Sequence, residues 1–396
     1  MEAQAQANLK GSLRLGNYLK RLRAGYGYSL RRVEERARAE GGEIDNSQLS
    51  RYEKGICYPS FDKLRVLASV FNVSIQAFSD VVDLEAYEEL KPGSLDADEL
   101  VDAGASALRA GEVARAFACF ERAVELLEAV PAREGSAERL AQARLNLAAA
   151  LSRLGKLSLA EQELRNALRG QGDLPAAVRA RALLNLANVH ADQGDTILAE
   201  LEAEKAAALA DAEKLDLVSA RSRHTLGRVL ADRRMPAEAV GRYREAAEIY
   251  ARCGDAYEAC RVRVNIGHCY VSLGKGREGA RLLRVALDEA KALGFRYIEA
   301  YACSCLGEAF YRQQEFPRAQ GFFRQSDALA GSSEHRYADL LFLNSFYEWR
   351  MAGGQGNPTR EKIAFGRMKA LRTSLERRFA EVDTFDAYVE RGRSDA

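Results

Sequence analysis

Apolar residues recur along this 396-residue chain at helical spacing, and Val/Ile-rich alternating runs are absent. Apolar positions three and four residues apart mark one face of an α-helix. Near the N-terminus they form five short groups, enough for a small core of their own. The pattern predicts five helices at about 14–24, 29–39, 46–54, 60–70 and 74–80.

Beyond these helices the chain repeats itself about every 40 residues. A turn position stands nine residues after a frame position that is most often asparagine, and from Asn146 onward the frame positions are spaced by 39, 40, 40, 40 and 39 residues. Such a period is typical of helical-repeat solenoids. The frame and turn pairs are Asp102/Gly111, Asn146/Gly155, Asn185/Gly194, Thr225/Arg234, Asn265/Gly274, Cys305/Gln314 and Asn344/Gly353.

Small residues recur five and twelve residues after each turn position. The seven-residue step places both on one helix face, where small side chains let two helices approach closely. The first set is Ala116, Ala160, Ala199, Ala239, Gly279 and Ala319, and the second is Ala123, Ala167, Ala206, Ala246, Ala286 and Ser326.

This pattern resembles the tetratricopeptide repeat, a helix–turn–helix pair that stacks into a right-handed superhelical solenoid. The resemblance covers about seven units, and helices after Pro358 would cap the open end of the stack. The sequence therefore predicts an all-α protein. Its expected parts are an N-terminal tail (1–13), a five-helix domain (14–80), a linker (81–97), the repeats (98–355) and C-terminal capping helices (356–396).

Composition and charge narrow the class of protein. The chain has 58 Lys+Arg and 57 Asp+Glu, but residues 1–80 hold 13 basic and nine acidic residues. This basic excess permits contact with nucleic acid. There is no secretory signal and no long apolar run, and the seven cysteines do not suggest a disulfide framework. We therefore expect a cytoplasmic protein.

The third predicted helix, in NSQLSRYEKG, has a marked beginning and end. Asp45 is placed to cap it, with Gln48 completing a capping box, and Gly55 is placed to end it. With Leu49 and Tyr52 in the core, the polar side chains of the helix point outward. Asn can pair with adenine and Arg with guanine in the major groove.

Residues 15–74, from LGNYLKRLRAGYGYSLRRVEERA to NSQLSRYEKG, Pro59 and FNVS, resemble the Cro/cI (Xre) helix-turn-helix family. The resemblance implies that Asn46, Ser47 and Arg51 read bases and that Ser29 and Lys54 hold phosphates. The segment RAEGGEID is about five residues longer than the family pattern, and the loop ICYP lacks basic residues. The candidate DNA contacts are Ser29, Arg31, Arg32, Asn46, Ser47, Gln48, Ser50, Arg51 and Lys54.

The first helix of each repeat is expected to line a concave groove. Frame positions and the positions four residues earlier share one helix face. Asn can clamp a peptide backbone and Arg can bind a carboxylate. A peptide, a folded protein partner and self-association all remain open. The candidate groove residues are Asn146, Arg181, Asn185, Asn188, Arg221, Arg261, Asn265 and Asn344.

Nothing in the sequence indicates catalysis, a cofactor or a metal. His190 is expected in the core, His224 and His268 lack partners at metal-ligand spacing, and Cys303 and Cys305 point different ways on a helix. We therefore expect a protein that is not an enzyme.

The combined architecture is similar to peptide-pheromone-responsive regulators, which join the same two modules. This implies a transcriptional regulator that binds operator DNA as a homodimer and senses a peptide or protein. The alternative is a scaffold or adaptor whose DNA-binding role is secondary or lost. The operator, the ligand and the choice between activation and repression are not encoded in any motif.

Overall fold

The computed structural model describes residues 11–129, 135–169, 174–331, 337–375 and 379–394. The chain divides into two compact units, Met1–Asp173 and Leu174–Ala396. Within the described ranges every regular element is a helix. The predicted all-α fold, with helix-turn-helix elements followed by repeating helical units, is confirmed.

Unit 1 begins with the five predicted helices. Serine side chains at positions 12, 29 and 74 cap three of them, each accepting a hydrogen bond from a backbone N–H of the first turn. Leu19, Val33, Leu49, Leu67 and Phe78 fill their common core. The helices are α1 (Leu13–Gly25), α2 (Leu30–Ala39), α3 (Asn46–Glu53), α4 (Phe61–Phe71) and α5 (Ile75–Asp83).

The predicted linker is largely helical. After α5 the chain continues as a 3₁₀ helix over Leu84–Leu90, and the Leu84 side chain is buried. Lys91 follows and forms an ion pair with Glu125 at 3.0 Å. The segment is therefore part of the packed unit.

Two helical hairpins complete unit 1, and the N-terminal helices pack directly on them. The Tyr18 hydroxyl donates to Gln162 at 2.8 Å. Lys156 Nζ lies 3.2 Å from Asp80 and 2.6 Å from Asp83. The hairpin helices are α6 (Ala97–Arg109), α7 (Val113–Ala129), α8 (Ser136–Arg153) and α9 (Leu157–Leu168).

Unit 2 consists of five further hairpins and a final helix. Its helices are α10 (Ala176–Gln193), α11 (Thr196–Ala212), α12 (Asp216–Asp232), α13 (Pro236–Arg252), α14 (Ala256–Ser272), α15 (Gly276–Leu293), α16 (Arg296–Arg312), α17 (Phe316–Gly331), α18 (Ala338–Gly354), α19 (Pro358–Arg372) and α20 (Ala380–Ser394).

The small residues of the repeat pattern lie in the hairpin interfaces. All twelve predicted positions are buried, from Ala116 to Ser326. Six of the seven predicted turn positions have a left-handed backbone, including the two without glycine, Arg234 and Gln314, both with φ of 62°. A bulky residue tolerates this conformation poorly, so the stacking of the helices must hold these turns.

The last hairpin departs from the predicted frame. Its left-handed turn residue is Gly356, three residues after the expected Gly353, which is still helical. The frame position nine residues before the turn is therefore Tyr347, and the assignment of Asn344 was wrong. Helix α19, expected among the capping helices, is the second helix of this hairpin, and α20 packs on α18 through Phe342 and Phe385 (ring centroids 5.6 Å apart).

No single helix in the described residues is long and apolar enough to cross a membrane. Only α4 and Ile75–Leu90 together reach that length and composition, with a bend of 110° between them. Leu67, Phe71 and Phe78 of this pair are buried in the core of unit 1. The pair is thus accounted for by the packing of the five-helix domain.

Candidate DNA-binding surface and helical groove

Helix α3, the candidate recognition helix, has well-defined ends. Asp45 accepts a hydrogen bond from the Gln48 backbone N–H at 2.7 Å, as expected for an N-cap. The Gln48 side chain accepts a hydrogen bond from Lys63 Nζ at 2.8 Å. It therefore makes a tertiary contact instead of the second hydrogen bond of the capping box. At the other end, the backbone N–H groups of Gly55 (φ 67°) and Ile56 donate hydrogen bonds to the carbonyls of Tyr52 and Arg51, which is the Schellman motif.

An ion pair and a close backbone approach hold α3 against α1. Arg23 donates two hydrogen bonds to the Glu53 carboxylate, at 2.6 and 2.9 Å, and this bond raises the pKa of Arg23. Gly16 of α1 lies against the carbonyl oxygens of Tyr52 and Glu53, where a Cβ atom would stand only 2.6 Å from each. Only glycine permits this crossing without displacing the candidate recognition helix.

The long connection RAEGGEID is packed onto the domain. Ile44 is buried, and Gly42 lies against Val66, leaving no room there for a Cβ atom. Glu34 of α2 then accepts a hydrogen bond from the Asn46 backbone N–H at 3.3 Å. The connection is therefore packed against α4 at Gly42, and the start of α3 is held to α2 by Glu34.

The outward face of α3 has the predicted character. Asn46, Ser47 and Arg51 are exposed, as is Lys54, and Ser50 is half-buried. Leu49 is only 1% exposed, so the opposite face belongs to the core. The structure thus brings an amide, a hydroxyl and a guanidinium onto one exposed helical face.

The predicted phosphate contacts on α2 have acidic neighbours. The Ser29 hydroxyl caps the helix by accepting from the Arg32 N–H at 3.1 Å. Arg31, whose side chain is 84% exposed, and Arg32 both pair with Glu35, at 3.7 and 3.0 Å. The sequence analysis did not consider Glu35. Its spacing of four and three residues from Arg31 and Arg32 predicts these ion pairs on a helix.

Two predicted groove arginines lie on the first helices of unit 2, Arg181 on α10 and Arg221 on α12. Burial, and then the positive charge of Arg221, lower the pKa of Arg181. Arg221 is exposed, and its guanidinium has no hydrogen bond or ion pair in the described part of the chain. Asn185, half-buried on the same helix as Arg181, is likewise without a side-chain hydrogen bond among the described residues.

The third predicted groove arginine, Arg261, forms an ion pair within the protein. Arg261 Nη2 lies 2.7 Å from Glu258, a carboxylate that the sequence analysis did not consider. Asn265 contacts His224 Nε2 at 3.0 Å and accepts from the Tyr301 hydroxyl at 3.0 Å. Burial lowers the pKa of His224, so the imidazole is neutral near pH 7. Helices α12, α14 and α16 are thereby joined by one polar cluster.

The remaining groove asparagines make contacts within the protein. Asn146 accepts from Gln142 at 3.3 Å, and Asn188 accepts from Thr225 and Arg228. Asn344 is fully buried, and it contacts Ser304 and Asp327. Its burial follows from the shifted turn of the last hairpin.

A second polar cluster contains His268. Its Nε2 lies 2.8 Å from Glu308, which also pairs with Arg312 at 2.7 Å. Burial opposes protonation of His268, but the charge and hydrogen bond of Glu308 raise its pKa overall. Although burial acts in the other direction, His268 and Arg312 lower the pKa of Glu308 to about 2.

The remaining predictions concern the histidine at position 190, the cysteines and possible metal ligands. His190 is buried, as predicted, and lies 2.8 Å from Glu202. The seven cysteines are free thiols. Among the described residues no group of three His, Cys, Asp or Glu side chains is placed to hold a metal ion.

Comparison with known proteins supports the two-part organisation. Residues 19–78 match the family model described as Helix-turn-helix. No curated protein matches the chain. A Rap protein complexed with competence and sporulation factor is 15% identical, with a TM-score of 0.54 over 71% of this chain and 77% of that one. A tetratricopeptide repeat protein from Parabacteroides merdae is 15% identical, with a TM-score of 0.50 over 69% and 93%.

PlcR from Bacillus thuringiensis, in complex with the peptide PapR7 and DNA, is 19% identical over 74% of this chain and 99% of that one. Its TM-score of 0.41 is too low to transfer anything to this chain, and the other two likenesses concern the fold alone. The chain carries a helix-turn-helix domain of the Cro/cI (Xre) type at its N-terminus, followed by repeating helical hairpins of the tetratricopeptide-like fold.

Proposed function

We propose that the protein is a transcriptional regulator that acts in the cytoplasm, and not an enzyme. The observation that carries this proposal is the exposed face of α3, where Asn46, Ser47 and Arg51 stand on a helix fixed at both ends. A rigid helix with such side chains at its first turns matches the hydrogen-bonding edges of bases in the major groove. The HTH match over residues 19–78 supports the same role.

We further propose that two copies bind one operator. A single small helix-turn-helix domain makes too few base contacts for tight specific binding, whereas two domains on two half-sites double them. Ser29, Lys54 and the arginines of α2 would hold the phosphates on either side and set the register of α3.

Selection from random DNA duplexes, followed by gel shift, tests the DNA-binding role. The full chain should recover one preferred, two-fold symmetric sequence. Asn46→Ala with Arg51→Ala should cost about 1–3 kcal/mol per lost base contact and relax the preference at those positions. Arg318→Ala, an exposed arginine of α17, is the control and should leave DNA binding unchanged.

If no sequence is preferred, or if the double variant binds as tightly as the parent, the regulator proposal fails. The scaffold or adaptor function would then be the better account of the helical repeats.

The groove face of unit 2 is proposed to sense a peptide. The exposed guanidinium of Arg221 and the amide of Asn185 have no hydrogen bond among the described residues, and they support a ligand with an acidic group and a free backbone. Asn188, Arg261, Asn265 and Asn146 make contacts within the protein, so they would serve mainly to shape the groove. Ligand binding would shift the population between DNA-competent and incompetent arrangements of a dimer.

Phage display of random heptapeptides against the full chain, followed by calorimetry, tests the groove. Recovered peptides should be enriched in Asp and Glu. Asn185→Ala with Arg221→Ala should remove their binding while leaving operator binding intact. Arg252 is exposed on the neighbouring helix α13, and the control substitution Arg252→Ala should leave peptide binding unchanged. Unchanged peptide affinity in the double variant would contradict the assignment.

A further inference from the structure

Unit 1 contains a cavity of about 510 Å³ between its N-terminal helices and its hairpins. One wall comes from α1 and from the segment containing Val81 and Leu84, and the other comes from α7, α8 and α9. Cavities of 300–1,000 Å³ are the size that proteins use for small ligands. The α8 residues in the wall, including Leu147 and Leu151, lie on a different face from Asn146, so the cavity is separate from the proposed peptide groove.

About half of the cavity wall is apolar. Such a surface favours a ligand with a hydrocarbon body, since apolar area removed from water stabilises binding. The principal apolar side chains are Leu22, Leu84, Phe117, Leu140, Leu147 and Leu159.

Several charged groups in the wall have partners within the protein. Arg14 pairs with Glu121 and also with Glu88. Arg144 Nη2 lies 2.5 Å from Glu128. Glu125 is paired with Lys91, as described above, and with Arg122 at 3.1 Å. These contacts leave little free charge for a ligand.

Glu163 of α9 differs from them. Its Oε2 atom is buried and accepts no hydrogen bond from the described residues. The nearest guanidinium nitrogen, Arg144 Nε, is 3.9 Å away and itself lacks an acceptor. Burial raises the pKa of Glu163, while Arg144 and Arg21 act against this and Glu128 adds to it. A buried carboxylate without a close donor is unfavourable, and a cation beside it would relieve this.

We propose that this cavity binds a small amphiphilic amine, whose protonated nitrogen pairs with Glu163 and whose hydrocarbon body packs on the apolar wall. Arg21 and Arg169 also line the cavity, but both are exposed and thus screened by water. Only 20% of the Glu163 side chain is exposed. The carboxylate, rather than the arginines, therefore determines which charge the cavity prefers.

The position of the cavity gives the ligand a structural consequence. Tyr18 and Leu22 belong to the DNA-binding domain, whereas Leu147 and Leu159 belong to the hairpins, so one occupant would contact both. Binding at this site goes beyond the proposed peptide sensing and does not depend on it.

Calorimetry on the full chain with octylamine, 1-octanol and octanoate tests the proposal, because the three probes share a chain length and differ in charge. Octylamine should bind at least about tenfold more tightly than either of the others. Glu163→Gln should abolish that difference, and it should fold normally because it removes a negative charge that has no close hydrogen-bond donor. Glu161→Gln is the control, since this residue of the same helix is already paired with Arg165 at 2.8 Å.

Tighter binding of octanoate, no binding of any probe, or an unchanged octylamine affinity in Glu163→Gln would each overturn the proposal. If Glu163→Gln does not fold, the comparison of the three probes on the unaltered chain still tests the proposal. None of these outcomes bears on operator binding, so the regulator proposal is tested separately.

Discussion

At the scale of single residues, function in the N-terminal domain depends on which charges are free. Arg51 is exposed and suited to a base edge, whereas Arg31 and Arg32 share the carboxylate of Glu35. Exposed ion pairs of this kind contribute little to stability. Near DNA, however, the acidic partner repels phosphate and competes for the arginines, so Glu35 is expected to weaken DNA binding.

Replacing Glu35 with Gln should therefore strengthen DNA binding. The substitution removes one negative charge and frees two guanidinium groups for phosphates, so affinity should rise several-fold at low salt. The dependence of affinity on salt should also become steeper, because more counterions are released. Fluorescence anisotropy with the selected operator at several salt concentrations measures both effects.

Glu112→Gln provides the matched control, since Glu112 forms a similar exposed pair with Arg115 in the first hairpin. It should change neither the affinity nor the salt slope. An unchanged affinity in Glu35→Gln would mean that α2 does not lie near phosphate.

At the scale of elements, the position of the candidate recognition helix is set by α1 as much as by its own sequence. The Asp45 cap and the Gly55 ending determine where α3 begins and ends. The Arg23–Glu53 pair and the contact at Gly16 determine where it lies. A change in α1 should thus affect DNA binding without touching DNA.

Gly16→Ala should destabilise unit 1 and weaken DNA binding. A Cβ atom at this position meets backbone oxygens of α3 that cannot rotate away, and overpacking of this kind costs about 1–3 kcal/mol. Thermal melting followed by circular dichroism gives the stability, and anisotropy gives the DNA affinity.

The corresponding change at Gly241 is the control. This helical glycine of α13 faces open space, so Gly241→Ala should be neutral or stabilising by up to about 1 kcal/mol. Equal melting temperatures for Gly16→Ala and the parent would show that α1 and α3 can separate without cost.

At the scale of the whole molecule, buried polar clusters join successive hairpins of unit 2. His224 lies with Asn265 and Tyr301 in one cluster, and His268 lies with Glu308 in the other. The two histidines have pKa values shifted in opposite directions, His224 by burial and His268 by its acidic partner, which outweighs burial. The stability of unit 2 should therefore depend on pH in two opposing ways.

The contribution of His268 should be greatest in acid. Because its folded pKa lies above the unfolded value of about 6.5, its stabilising effect is fully present below that pH and is lost as pH rises through the folded pKa. The charged groups facing it are Glu308, Arg312 and Glu381. The melting temperature of the parent should exceed that of His268→Gln most at pH 5 to 6, and less at pH 8 to 9.

His224→Gln serves as a comparison of opposite sign. A lowered folded pKa makes protonation unfavourable in the folded state, so the parent loses stability relative to this variant as pH falls below about 6.5. Parallel pH profiles for the two variants would contradict the assigned environments.

The sequence by itself determined the helices, both ends of α3 and most of the repeat. These features depend on residues within a few positions of one another, as at Asp45 and Gly55, or on a period that repeats along the chain. The exposed face of α3 could also be predicted, because Leu49 and Tyr52 identify its buried side. The all-α class followed from the same local patterns, and the HTH domain followed from the resemblance to the Cro/cI (Xre) family.

Tertiary structure alone decided what the charged and polar side chains contact. Arg23 and Glu53 lie thirty residues apart, and the turn at Gly356 moves Asn344 from the groove into the core. The cavity beside Glu163 lies between elements that share no local pattern. Hydrophobic periodicity specifies which face of a helix is buried, but only packing brings distant charges together and leaves one carboxylate without a close hydrogen-bond donor.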